Sequence, residues 1–245
     1  IETSLFENVN TEILNLILKN SQVNQCLSKH IIIREENLTA PNLYIIKSGV
    51  VVISKSDMNG TDVSISIKKT GDPFGTFSVV DDKPTNAKAV ALCATEYWSL
   101  SGSFIKEILL KDTNFTLNLL KFYTNYIRNL NDFQTSSSFG GAQKKLLYQL
   151  MKIGEKKVGK DFIIINNYIS QSVISSFAGV TRETTSREIQ KLKKSHILKV
   201  NSKKQLELDI KLATILLDTG WYFKRLIIIT KKELIKDDVG YEVKN

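Results

Sequence analysis

Nine consecutive residues, Gly179-Val180-Thr181-Arg182-Glu183-Thr184-Thr185-Ser186-Arg187, put two guanidinium groups and a carboxylate just beyond a glycine turn. That chemistry suits base edges: arginine can grip O6 and N7 of guanine in the major groove, and glutamate can accept from N4 of cytosine. Gly179 can take the left-handed backbone between two helices, and Thr181 can cap the second with its hydroxyl. At about 100° per residue, Arg182, Glu183, Ser186 and Arg187 share an arc of roughly 140°. Thr185, Ile189 and Leu192 fall on the other side, as in a helix packed on a core with its polar half outward. The stretch reads as the recognition end of a helix-turn-helix. Taken alone, it also fits a charged, solvated helix after a glycine turn.

The charge map favours the first reading. Residues 1–137 hold 13 Lys+Arg against 14 Asp+Glu, residues 138–210 hold 14 against 6, and residues 211–245 hold 7 against 5. The net charge of +9 therefore sits almost wholly in the segment with the nine residues. Phosphate binding asks for that asymmetry, because each neutralised phosphate releases counterions whatever the base sequence.

Other chemistry finds little footing. Cys26 and Cys93 have no CxxC or histidine-rich neighbourhood, and His30 and His196 are the only histidines. No metal site, disulfide framework, iron–sulfur cluster or haem is expected, and both cysteines read as small buried apolar residues. There is no catalytic constellation, no GxSxG and no phosphate-cradling glycine loop, so the chain reads as a non-enzyme. No apolar run approaches the roughly 20 residues of a membrane span. The chain starts at Ile1 and shows no signal peptide, which makes the cytoplasm the expected location.

The elements that must position the readers follow from periodicity. Leu5, Val9, Ile13, Leu16 and Ile17 predict helix across residues 1–25. From His30 to Leu100 short β-rich runs alternate with turns, and Gly49, Gly60, Gly71 and Gly75 punctuate them, which predicts an antiparallel β-roll or jelly roll over residues 1–111. Leu119, Tyr123, Tyr126, Leu130 and Phe133 alternate spacings of four and three, the period of a helix seam meeting its own copy, with packing on the roll as the alternative. Residues 112–137 are thus expected to be a dimerisation helix ending in a polar hinge over 134–141. A winged helix-turn-helix is expected over 138–210: a helix at 142–153, a strand at 161–165, two helices, and a hairpin with Lys203 and Lys204 at its tip. Leu212 to Leu217 looks helical, and Trp221 to Ile229 is strongly apolar, most simply a cap on the core within a 211–245 extension. The fold class is α+β.

At Gly179 to Arg187 the chain resembles the CRP/FNR family of transcription regulators, whose motif runs glycine, any residue, serine or threonine, Arg-Glu-Thr, two residues, arginine. The resemblance covers roughly residues 1–210. It implies a homodimer that binds double-stranded DNA at a palindromic site and meets RNA polymerase, without a membrane. It puts base contacts to a TGTGA-like half-site on Arg182, Glu183 and Arg187. Thr181, Ser186, Ser170, Gln171, Lys203 and Lys204 are candidates beside them. The cassette Gly71-Asp72-Pro73-Phe74-Gly75-Thr76-Phe77 is similar to that of the family's sensor domain. Cyclic-nucleotide binders of the family carry a glutamate where Thr76 stands and an arginine near Thr85-Asn86, and no arginine occurs between Arg34 and Arg128. A cyclic nucleotide is therefore not expected. Nitrogen-status regulators of the same architecture sense 2-oxoglutarate between roll and helix, and Lys88 with Arg128 could serve a dicarboxylate; having no effector is the other alternative. Phe74, Gly75, Thr76, Phe77, Lys88 and Arg128 are the expected pocket. The competing functional reading is a ligand-binding or protein-docking regulatory subunit without sequence-specific DNA binding.

Overall fold

The structure, a computed structural model, describes residues 3–36, 41–58, 60–139, 141–156 and 159–217, with side chains 133 and 135–139 left aside. The chain divides into two compact units, Ile1–Leu130 and Asn131–Asn245.

In the first unit a short 3-10 turn, Ser4–Phe6, precedes helix α1, Thr11–Asn20, whose N-cap Asn10 accepts from the Glu12 N–H at 2.8 Å. The helix expected across 1–25 stops at Asn20, because the apolar periodicity ends with Leu18 and the Ser21 hydroxyl donates to the Leu18 carbonyl. Gln22–Cys26 is instead strand β1. It is followed by β2 (Ile31–Ile33), β3 (Asn42–Ser48), β4 (Val51–Ser56), β5 (Asp62–Lys68), β6 (Pro73–Phe74), helix α2 (Thr76–Asp81), β7 (Lys88–Ala91) and β8 (Thr95–Ser101). The strands form two antiparallel four-stranded sheets, ordered β1-β8-β3-β6 and β2-β7-β4-β5. Helices α3 (Gly102–Lys111) and α4 (Thr113–Phe139) follow.

β3 shows why the roll reads as a continuous apolar run. Leu43 and Ile45 pack with Leu5, Ile17, Leu100, Ile105 and Phe115 against the helices, whereas Ile46 and Tyr44 pack with Ile33, Val51 and Phe74 between the sheets. A strand buried on both faces has no polar side to alternate with. Gly75 sits at φ +75°, and a Cβ there would lie 2.6 Å from the Asn42 carbonyl oxygen, so the cassette needs glycine at that corner.

Two expectations fail here. Cys26 and Cys93 are half-buried rather than buried, and the fold brings them close enough to interact: burial first, then Cys93, pushes the Cys26 thiol pKa up. The polar stretch 134–139, expected as a hinge, continues α4 to Phe139. Serine and threonine are weaker helix formers than alanine but do not break a helix as proline does.

The second unit contains α5 (Ala142–Ile153), β9 (Glu155–Lys156), β10 (Phe162–Ile165), α6 (Gln171–Ala178), α7 (Arg182–Lys194), β11 (Leu198–Val200), β12 (Leu206–Asp209) and α8 (Ile210–Leu217). Its sheet is ordered β11-β12-β10-β9. Leu146, Leu150, Ile174, Ile189, Leu192 and Leu208 are buried, as are Ala213 and Leu217 of α8, which begins two residues before the expected Leu212. Gly220 and Trp221 to Ile229 lie outside the described residues. Among the described residues no helix is long and apolar enough to cross a membrane.

Candidate functional site

The turn between α6 and α7 closes through backbone bonds. Gly179 is left-handed at φ +61°; its N–H donates to the Ser176 carbonyl at 3.3 Å, and the Val180 N–H to the Ser175 carbonyl at 3.1 Å. This is the Schellman closure of a helix, and it satisfies carbonyls that would otherwise be orphaned. The Thr181 hydroxyl accepts from the Thr184 N–H at 3.2 Å and donates to the Thr184 hydroxyl at 3.0 Å. Thr181 thus has work inside the helix start. Ser170 caps α6 in the same way, accepting from the Val173 N–H at 3.3 Å, with exposed Gln171 beside it.

With the helix start fixed, the charged groups face out. Arg182, Glu183 and Arg187 are exposed and Ser186 is half-buried, while Thr185, Glu188, Ile189 and Leu192 are buried on the opposite side. The Glu183 carboxyl is held below its usual value, first by a backbone N–H at the helix start, then by the Thr181 side chain and Arg182, so it stays an acceptor at neutral pH. The Arg187 Nε lies 3.6 Å from Oε1 of buried Glu188, which also accepts from Lys191 at 2.8 Å. Glu188, absent from the sequence-based candidates, thereby steadies Arg187 from below; its place one turn after Thr184 and Thr185 gives no sign of this.

The wing is built by one asparagine. Asn201 Oδ1 accepts from the N–H groups of Lys203 and Gln205, both at 3.0 Å, and its amide donates to Gln205 and Glu207. Lys204 takes φ +60°, and both tip lysines are exposed. Ser170, Gln171, Arg182, Glu183, Arg187, Lys203 and Lys204 therefore all lie on solvent-facing parts of one unit.

The roll holds a half-open cavity of about 100 Å³ lined by its second sheet, the cassette and α4. Phe74, Gly75, Thr76 and Phe77 line it as expected, but Lys88 and Arg128 do not. Lys88 pairs with Asp62 of β5, and Arg128 is exposed. Period-two alternation explains Lys88, since its neighbour Ala89 takes the inward position. The cation the sequence reading missed is Lys68, which lines the cavity with Ser66 two residues earlier on β5. Its nitrogen lies 4.9 Å from the centroid of Phe122, another lining residue. Burial pushes the Lys68 pKa down, and Asp72 pulls it partly back. No arginine lines the cavity among the described residues, so a cyclic phosphate would find no bidentate fork there, and the lining does not fit a cyclic nucleotide.

The expected seam divides. Leu119 is buried in the roll core and Tyr123 packs beside it, its hydroxyl donating to the Thr76 carbonyl at 3.0 Å; Tyr126 lines the cavity. Only Leu130 of the described side chains is exposed, and the Phe133 side chain lies outside them.

A β-roll, a long helix and a winged helix-turn-helix with outward charged groups define the class of a two-part DNA-binding protein. A family model for a cyclic nucleotide-binding domain matches residues 25–112, and one for a Crp-like helix-turn-helix domain matches residues 144–218. The chain belongs to the CRP/FNR family and is a sequence-specific DNA-binding transcription regulator. Regulators of this family bind DNA and act as dimers. The Anaerobic regulatory protein of Bacillus subtilis is 20% identical over 188 residues, 76% of this chain and 79% of that protein. The Cyclic AMP receptor protein of Thermus thermophilus is 24% identical over 158 residues, 64% and 71% of the two chains. In fold the chain is similar to FixK2 from Bradyrhizobium japonicum, with TM-score 0.72 and 18% identity over 82% of this chain and 98% of that one. A CooA mutant from Carboxydothermus hydrogenoformans gives 0.67 and 20% over 89% and 100%.

Proposed function

We propose that this regulator works as a homodimer whose two α7 helices read the half-sites of a palindrome, with Arg182, Glu183 and Arg187 on base edges. Ser170, Gln171, Ser186, Lys203 and Lys204 hold phosphates around them. The observation that carries the reading is the division of α7: three exposed charged groups share one arc, and the opposite face is buried. The dimer contact we assign to the outer face of α4. Leu117, Leu120, Thr124 and Ile127 are exposed there at spacings of three, four and three, with Leu120 at 55% and Ile127 at 56%. That is the repeat of a two-helix seam. The inward aromatic face of the same helix is occupied by the roll. The protein acts in the cytoplasm, where bound dimers meet RNA polymerase, and the roll serves as its sensor.

Selecting bound fragments from random DNA with the purified full-length chain tests this. A two-fold motif with half-sites about one helical turn, roughly 34–36 Å, apart is expected. Inserting about five base pairs between half-sites rotates one of them by half a turn and should abolish joint engagement. Undiminished affinity after that insertion, or selection without any motif, overturns the reading.

A further inference from the structure

The roll cavity has properties that select a ligand class. At about 100 Å³ it is small beside the 300–1,000 Å³ of pockets for drug-sized ligands. Its walls are chiefly Ile33, Ile53, Phe74, Phe77 and Phe122. Against these stands a single cation, Lys68. Among the described residues no carboxylate forms an ion pair with it; Asp72 acts on it at longer range, and its own carboxylate oxygen accepts from the Lys69 N–H at 2.8 Å. Tyr126 also lines the cavity, and burial raises its phenol pKa, which keeps it a neutral donor.

We propose that this cavity binds a small monocarboxylate of about four to six carbons in all, its carboxylate on Lys68 and the Tyr126 hydroxyl. The proposal rests on the reading of the roll as a sensor and narrows it to one chemistry. One ammonium balances one negative charge. A second carboxylate, as in 2-oxoglutarate, finds no second cation in the lining, and a charge drawn in without a partner is strongly disfavoured. A phosphate ester carries nearly two charges at neutral pH and meets the same obstacle. The apolar walls serve the body of the ligand and exclude acids as small and polar as formate. Desolvation now disfavours the charged form of Lys68, and an entering carboxylate would restore it.

The test is calorimetry on the full-length protein with isovalerate, butyrate, hexanoate, isovaleramide, 2-oxoglutarate and cyclic AMP. Isovalerate or a close homologue is expected to bind at least tenfold more tightly than isovaleramide, which matches isovalerate in shape and lacks its charge. Lys68→Met should remove at least tenfold of the isovalerate affinity while leaving isovaleramide unchanged, and Tyr126→Phe should remove a smaller part. Should Lys68→Met fail to fold, the comparison of acid and amide on the unaltered protein decides. Failure of all three acids to bind, equal binding of acid and amide, or tighter binding of cyclic AMP or 2-oxoglutarate overturns the proposal. Parallel DNA selection separates the two readings. Sequence-specific DNA binding without acid binding sinks this proposal alone, whereas acid binding without a DNA motif sinks the proposed DNA reading and leaves the cavity assignment standing.

Discussion

The Thr185 hydroxyl is the one buried side-chain polar atom without a hydrogen-bond partner among the described residues, and it lies at the centre of the helix-turn-helix with no exposed surface. Its nearest backbone acceptor by sequence, the Thr181 carbonyl, already takes the Thr185 N–H at 2.9 Å. A hydroxyl desolvated without a partner costs about 1–3 kcal/mol. Thr185→Val replaces that oxygen with a methyl of nearly the same shape and keeps the β-branch, so helix propensity changes little. The added methyl contributes up to about 0.8 kcal/mol of burial. After allowance for imperfect fit in a packed site, a net stabilisation of about 1–2 kcal/mol is expected. Thr185→Ser makes the opposite change, keeping the hydroxyl and deleting the methyl, and should destabilise by about 1 kcal/mol. Amide hydrogen exchange across α7 reports the local opening free energy directly, and each 1.4 kcal/mol is about a tenfold change in protection. Cognate DNA affinity should not move with Thr185→Val, because the side chain faces the core and not the reading arc. If the valine substitution costs about 1 kcal/mol or more while the serine substitution is neutral, the hydroxyl makes a bond in solution and the reasoning from its isolation fails.

Gly179→Ala is expected to cost about 1–2 kcal/mol from its left-handed backbone alone, since no atom lies within 4 Å of a Cβ there, and Gly179→Asn less; urea unfolding that finds alanine neutral would refute the backbone argument. Arg182→Ala should cost about 1–3 kcal/mol on the cognate site and spare random DNA, so equal losses in a titration of both would remove its base-reading role. Glu183 should go on discriminating its base as pH falls from about 8 to about 5: a carboxyl held below the ordinary 4.5 stays ionised through that window and loses its acceptor role only below it, and fading discrimination near pH ~6 in binding assays would contradict this. Ile127→Asp should weaken the dimer in sedimentation, whereas Leu119→Asp should unfold the roll; a fully dimeric Ile127→Asp protein would move the contact away from the outer face of α4.

The reading helix was legible in the sequence because its determinants are local. Gly179, Thr181 and the 3.6-residue period act within two turns of chain, and the structure shows the turn and cap they imply. What escaped depended on which side of an element the rest of the fold occupies. On α4 the aromatic period is real, but aromatic residues fill a core as readily as a seam, and the roll takes Leu119 and Tyr123. On β5 the apolar residues Val63 and Ile65 suggest the inward face, yet Val63 is exposed, and Lys68 lines the cavity together with Ile65 and Ser66. Such assignments are settled by long-range pairing, here β4 with β5, which no local pattern encodes. The hinge was misplaced because serine and threonine lower helix propensity only slightly, and a helix already propagating passes through them.

The same division of α4 bears on how a sensor could speak to its dimer. Phe77 of the cassette stacks on Tyr123 at 5.5 Å and meets Tyr126 edge-on at 5.7 Å, while the Tyr123 hydroxyl holds the Thr76 carbonyl. Thr76 and Phe77 line the cavity, so a molecule that displaces either acts on Tyr123 and Tyr126 through contacts already in place. Ile127 follows Tyr126 directly on the outer face, and a helix transmits rotation between adjacent positions because its backbone bonds are all internal. A ligand therefore needs to move the cassette only enough to turn α4, and its leverage is limited to the difference in its affinity for the two orientations.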